Sequence, residues 1–389
     1  MITLLLPLLL AATPDAGTDA PAEFIDAVLP LYKVVTCQKE GLPAGLDQKS
    51  VDAYCAIQKP RFETYRQHWG TTARDFLAKL RPATLPAELV YPFGGGDLMS
   101  ALTAYPDATT ITTLSLELAG DPRRLPTLTD AKVLKQSLLA VAEASASTLV
   151  SGDSLSKNLS KVQRGELPGQ LSMHLMGLGL FDYEPVSVRF FRVETDGSLH
   201  YYTLAEVTAL ETEKASSLKA DWKSPDFSPA FANVEVQFVP RGKPDAPRRI
   251  HRHIGADLSN DGAGKAPGVL AHLAAKGRVA SMTKAASYLL WQPTFSMVRD
   301  WLVKNSVYMV SDSTGVPPRY WKKAGCSMET FGSFQKSFLG AQEGTQEEFR
   351  QLFEHAKKVP MRFGYPDGSP EKRSHLMVVR CEATPDAGK

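Results

Sequence analysis

Two polar, glycine-bearing turns follow short apolar runs in this chain, and both carry residues capable of chemistry. The first is Gly94-Gly95-Gly96-Asp97, after Glu88-Leu-Val-Tyr-Pro-Phe93. A glycine turn leading from a strand into a helix gathers backbone N–H groups that favour an anion. The competing reading is a tight turn that needs positive φ, with Asp97 as N-cap of the helix behind it. Glu117 ends the next apolar run, where nucleotide folds place an acid for a ribose hydroxyl. GxGxxG is absent, so the choice lies between the tight turn and a pocket for some other ligand. The second turn is Asp312-Ser313-Thr314-Gly315, with Arg319 shortly after it. Such strand ends collect ligand contacts in α/β folds, although Asp, Ser and Gly also form turns for local reasons. Lys284, Ser287 and Tyr288 fall within one turn of an expected helix and share roughly one face. A desolvated lysine beside Ser and Tyr can act as a base, hold an anion, or pair with a carboxylate such as Asp312. Asp97, Glu117, Lys284 and Asp312 are thus the candidate catalytic groups. Gly94, Gly95, Gly96, Asp97, Ser287, Tyr288, Ser313 and Arg319 are the candidate ligand contacts. The sharpest expectation places the two turns face to face across adjacent strand ends, with Lys284 reaching between them.

Two other motifs carry less. Gly152-Asp-Ser-Leu155 matches the tetrapeptide of the GDSL esterases, but an Ala-rich helical stretch precedes it instead of a strand. None of the eight histidines has Asp three residues before it, so the partner motif is missing. Gly-x-Ser-x-Gly is also absent, which removes a nucleophile elbow. His251 and His253 would share one face of a strand, as a metal-ligand pair requires. Arg248, Arg249 and Arg252 surround them and oppose a cation, so the segment reads as a solvated basic edge. No metal site and no cofactor is assigned.

The elements that must position these residues can be read from pattern. Residues 21–80 read as helices with two turn-rich breaks, Phe62, Tyr65, Trp69, Phe76 and Leu80 recurring along one apolar face. Strand 88–93, the glycine turn, helix 98–105 and strand 109–117 make a βαβ unit. Residues 129–147 look helical. Strands 186–194 and 199–204 flank the turn Thr195-Asp-Gly-Ser198, and strands 234–239 and 249–254 form a second hairpin. Helices are expected over 268–276, 284–291, 295–305 and 346–357, and strands over 307–311 and 376–381. The fold class is α/β: a mixed sheet with flanking helices, a βαβ unit at about 88–117 and central β-hairpins.

Two stretches resemble a family of exported bacterial proteins with no assigned function. One is Tyr91-Pro-Phe-Gly-Gly-Gly-Asp-Leu98 with Tyr105-Pro-Asp107 and Leu116-Glu-Leu-Ala-Gly120. The other is Lys284-Ala-Ala-Ser-Tyr-Leu289, then Phe295-Ser-Met-Val-Arg299 and Val310-Ser-Asp-Ser-Thr-Gly-Val-Pro317. Here Thr314 interrupts the turn and Ser311 stands where the family has an acid. The resemblance implies export and one fold unit, and it brings no activity.

The chain has 389 residues, 43% hydrophobic and 22% charged, which excludes wholesale disorder, collagen-like and coiled-coil classes. Its net charge of +2 gives little general attraction to nucleic acid or anionic lipid. Residues 2–10 are an almost unbroken apolar run followed by Ala11 and Ala12, which reads as a signal peptide lacking its basic start. That run is far short of the ~20 residues of a spanning helix, and no transmembrane segment is expected elsewhere. Residues 1–20 are thus expected to be signal and linker, 21–381 a single domain, and 382–389 a disordered tail. The hexapeptide Ala-Thr-Pro-Asp-Ala-Gly recurs at 12–17 and 383–388, at the two ends of the chain. Four cysteines, none in CxxC, suit disulfides in an oxidising compartment, with Cys37–Cys55 and Cys326–Cys381 as the expected pairs. The sequence reading is an exported envelope protein, periplasmic or extracellular, that binds a small ligand or a partner not identifiable from sequence. The alternative is a hydrolase-like enzyme whose cleft forms between turns 94–97 and 312–315.

Overall fold

Val90, Leu89 and Tyr91 are all buried, so strand β1 (Glu88–Pro92) is apolar on both of its faces. That is the mark of an interior parallel strand covered above and below. The computed structural model describes residues 20–38, 40–151, 166–216, 228–284, 286–334, 343–363 and 374–381. The apolar run 2–10, the tetrapeptide 152–155 and both terminal hexapeptides lie outside the described residues.

Ten strands form one mixed sheet in the order β4-β3-β5-β6-β2-β1-β7-β8-β10-β9. They are β1, β2 (Thr110–Ser115), β3 (Tyr183–Val193), β4 (Leu199–Tyr201), β5 (Asn233–Pro240), β6 (Arg249–Gly255), β7 (Val279–Met282), β8 (Ser306–Asp312), β9 (Ser327–Gly332) and β10 (His375–Arg380). The middle of the sheet, β6-β2-β1-β7-β8, is parallel throughout. The expected hairpins β3–β4 and β5–β6 are antiparallel and build one flank, and β10 pairs antiparallel with β8 and β9 on the other.

Helices cover both faces. One face carries α1 (Ile25–Val35), α2 (Gln48–Tyr65), α3 (Arg74–Leu80), α4 (Leu98–Ala104), α5 (Ala131–Ser151), α6 (Gly169–Leu180) and α7 (Leu204–Ser216), through residues such as Leu31, Phe62, Leu77, Leu102, Leu138, Leu175 and Val207. After a short helix α8 (Asn260–Lys265), the other face carries α9 (Pro267–Ala275), α10 (Ser296–Asn305), α11 (Pro318–Lys323) and α12 (Glu343–Leu352), through Leu273, Leu302, Trp321 and Phe349. Helix α4 links β1 to β2 on the first face, while α10 links β7 to β8 on the second. The winding therefore reverses between β1 and β7, and a crevice opens beyond the carboxyl ends of these two strands.

Both expected disulfides form. Cys37–Cys55 joins the end of α1 to the buried face of α2, with Cα atoms 5.5 Å apart. Cys326–Cys381 has its Cα atoms 4.3 Å apart and extends the β9–β10 ladder by one pair beyond Ser327↔Arg380.

Several elements were not expected, α7, α8, α11 and β9 among them, and three further differences bear on the site. Helix α6 was not anticipated, because Gln170–Leu180 is buried on every side and shows no polar stripe. Strand β7 has only four residues, too few for a period to show. The expected helix over 284–291 is a short 3₁₀ turn, Ala286–Trp291, so Lys284 precedes it and shares no helical face with Ser287 and Tyr288. Among the described residues, no helix is long and apolar enough to cross a membrane.

Candidate functional site

The crevice between β1 and β7 holds an ion pair. Asp97 follows β1 and Lys284 follows β7, and the Lys284 amine lies 3.2 Å from Asp97 Oδ2. It also donates to Ser100 Oγ at 2.8 Å. Asp97 accepts from the Ser100 N–H at 3.2 Å, which makes it the N-cap of α4, and from the Tyr91 hydroxyl at 3.1 Å. Lys284 is 0% exposed and Asp97 3%. Two aromatic rings close over the amine, Trp69 at 5.1 Å and Phe363 at 5.5 Å from their centroids, a cation–π arrangement. Burial pushes the Tyr91 hydroxyl well above its usual range, and the neighbouring Asp97 charge pushes it further.

The glycine turn serves this packing. Gly95 has φ +49°. A Cβ on Gly96 would lie 2.8 Å from Gln170 Oε1 and from Met173 Cβ on α6, so only glycine lets the helix approach. Gly94 is held as closely against the Tyr91 ring. Phe93 adopts φ +60°, a costly conformation for a bulky residue, and its ring rests on Phe295.

The second turn closes on itself. Asp312, 0% exposed, accepts from the Thr314 N–H at 2.9 Å. Ser287 Oγ lies 2.9 Å from Thr314 Oγ1. Ser313 donates its N–H to His375 Nδ1 at 3.0 Å. Gly315 accepts from the Trp291 indole at 2.9 Å, and a Cβ there would lie 2.1 Å from Ser311 Oγ. The expected meeting of the turns is thus altered by β7, which lies between β1 and β8. The Lys284 amine spans from β7 to the Asp97 side.

Glu117, Tyr288 and Arg319 go elsewhere. Glu117 sits beyond β2, where its side chain accepts from Gln170 at 3.4 Å. Tyr288 packs half-buried among apolar residues of the second face. Arg319 pairs with Glu348 at 2.6 Å and donates to Thr345, on α12.

The histidine pair is a correction. His251 and His253 form no solvated edge, because β6 is interior and both point under α6, fully buried. Thr113 Oγ1 lies 3.0 Å from His251 Nε2 and 3.1 Å from His253 Nδ1. His174 of α6 packs on both rings, at 4.4 and 5.0 Å between centroids. Two of the three arginines that suggested solvent are drawn into the protein, Arg252 pairing with buried Glu235 and Arg249 donating to the Ala108 carbonyl, while Arg248 stays exposed. Burial depresses all three imidazoles, His174 to about 3, His253 to about 4 and His251 well below its usual value. Among the described residues, no three His, Cys, Asp or Glu side chains are placed to hold a metal ion.

Sequence reasoning missed Trp69 and its setting. It lies in Arg66–Ala73, a stretch wound with wide π-type turns that continues α2 into α3. Such bulges recur at functional sites. Trp69 also lines a concavity of about 790 Å³, walled by Val150 and Met361 and rimmed by His68, Lys358 and Arg362. None of Asp97, Glu117, Lys284 and Asp312 lines this space. Comparison with protein-family models, curated proteins and solved structures found no match to this chain.

Proposed function

We propose that this is an exported envelope protein, periplasmic or extracellular, that binds a small ligand in the concavity beside Trp69. The observation that carries the reading is a division of labour around Trp69. Behind the ring, the Lys284–Asp97 pair is sealed from solvent and spent on capping α4. In front lies an open space whose size falls within the ~300–1,000 Å³ typical of ligand clefts. The strand-end cluster then acts as a rigid buttress for the wall of the site. The hydrolase reading has less support, since Asp97, Lys284 and Asp312 are buried and already bonded within the protein. Two disulfides are compatible with export.

The test uses the small-molecule fraction of the native cell envelope. It should raise the melting temperature of the wild type and leave Ser333→Trp, a plug at the exposed rim, unmoved. A ligand at about 100 times its Kd stabilises by about 2.7 kcal/mol. Equal shifts in both proteins, or none in either, would count against the concavity. Consumption of a compound by the wild type would favour the enzyme reading instead.

A further inference from the structure

Resting on that reading, we infer that the concavity selects an anion: its ligand carries a phosphate, sulfate or carboxylate group attached to an apolar or ring-shaped body. The titratable side chains lining it are His68, Lys357, Lys358 and Arg362, and no Asp or Glu lines it among the described residues. The whole chain carries 44 basic and 42 acidic side chains, so a lining that is all basic among the described residues is a local feature and not a reflection of composition.

The three cationic side chains do different work. Lys357 is already engaged, since its amine meets Glu329 at 2.5 Å and lies over the Phe331 ring. It belongs to the wall. Lys358 and Arg362 have no ion-pair partner among the described residues, and Arg362 is half-buried. A guanidinium held in that way offers a planar fork of N–H donors that matches the oxygen pairs of phosphate and carboxylate. Removal from bulk solvent strengthens its field at the site, because the local dielectric is lower than in water. Lys358 adds a compact second charge at the exposed rim. Apolar surface in the same lining comes mainly from Val150, half of which is exposed, with only a little from Met361 and Trp69. Basic groups and apolar surface in one lining set the ligand's two-part chemistry.

The geometry also fixes how the wall is held. Gly332 ends β9 and Ser333 follows it, and the Ser333 N–H donates to the Ser374 carbonyl at 2.7 Å. Gly332 has φ +87°, and a Cβ there would lie 1.9 Å from Ser374 O, so this rim is pinned in one conformation. The segment carrying Lys357 is clamped to β9 by two backbone bonds, Gly332 N–H to Lys357 O at 2.8 Å and Lys357 N–H to Thr330 O at 3.0 Å. The basic groups are therefore mounted on a rigid support.

The probes are phenyl phosphate and benzoate, with benzyl alcohol as the neutral counterpart. Calorimetric titration of the full chain should show both anions binding, at least tenfold more tightly than benzyl alcohol. The double variant Lys358→Gln/Arg362→Gln should weaken both anions at least tenfold and leave benzyl alcohol unchanged. Arg350→Gln, an exposed arginine paired with Glu347 away from the concavity, should match the wild type. Binding should also change tryptophan emission, and Trp69→Phe should abolish that change. The inference is overturned if neither anion binds, if benzyl alcohol binds as well as they do, or if the double variant and Arg350→Gln behave alike. An envelope-fraction shift in the wild type that is lost in Ser333→Trp, combined with any of these, would keep the binding reading and discard the anion.

Discussion

Replacing Lys284 with alanine removes the one amine that sits between Asp97, Ser100 and the rings of Trp69 and Phe363. Asp97 would keep two donors, the Ser100 N–H and the Tyr91 hydroxyl, but lose the cation 3.2 Å away while remaining 3% exposed. Removing one member of a buried pair costs about 3–5 kcal/mol, because the other charge stays buried without compensation. The missing butyl stem would also leave a void beneath the two rings, which adds to the loss. A total of about 4 kcal/mol corresponds to roughly a thousandfold shift toward the unfolded state. Lys284→Met isolates the charge, since it keeps most of the stem. The double variant Lys284→Met/Asp97→Asn removes both charges and retains an N-cap side chain, and it should be more stable than Lys284→Met alone. Urea unfolding followed by tryptophan emission measures Lys284→Ala and the cycle of wild type, Lys284→Met, Asp97→Asn and the double variant, which yields the coupling energy. A loss below about 0.5 kcal/mol for Lys284→Ala, the range of ordinary surface changes, would refute the argument. So would a double variant no more stable than the weaker single.

Three further outcomes are expected. The buried histidines make stability depend on pH: each is depressed in the folded state, so the unfolded chain binds more protons below about 6.5. Stability from them is complete above that value and falls as the pH drops toward about 4 for His253 and about 3 for His174. Urea midpoints at pH 7 and pH 5 should differ in the wild type and differ less in His174→Gln; equal differences would contradict the assignment. Breaking the disulfides by Cys→Ser pairs should cost about 3 kcal/mol for Cys37–Cys55 and about 4 kcal/mol for Cys326–Cys381, on loop entropy alone. The order reverses if native strain dominates, and denaturant titration reads it directly. Mass spectrometry of the protein from its own cells should show loss of the first ~12–20 residues, and an intact Met1 in a cytoplasmic extract would defeat the export assignment.

Much of the frame was legible because it is written in local pattern. The βαβ unit, both hairpins and the final strand follow from apolar runs bounded by Gly, Pro and Asp, which act over a few residues. Both cysteine pairings also hold, as does the cap at Asp97. What failed depended on where a segment ends up in the sheet. His251-Arg-His253 looks solvated beside three arginines, and only the partners Glu235 and Ala108, distant in sequence, explain how Arg252 and Arg249 are absorbed. Strand β7 is four residues, yet it separates the two polar turns and carries Lys284 to its partner. Trp69 reads as one more residue in an apolar helical series. Its place between a buried amine and an open concavity arises from the widened turns at 66–73, which periodicity does not reveal.

The cystine at the foot of the β9–β10 ladder has a mechanical consequence. Cys381 directly follows β10, and it is tied to Cys326 just before β9. Tension applied beyond Cys381 meets the covalent bridge before it meets any hydrogen bond of the ladder. The force is then shared between two neighbouring strands, and peeling β10 away one bond at a time is blocked at its first step. On its other side β10 is held by β8, the Cys381 N–H donating to the Val307 carbonyl at 3.0 Å. In a reducing solvent the same pull would open the ladder from this end, so the redox state of a single bond sets how this edge of the sheet bears force.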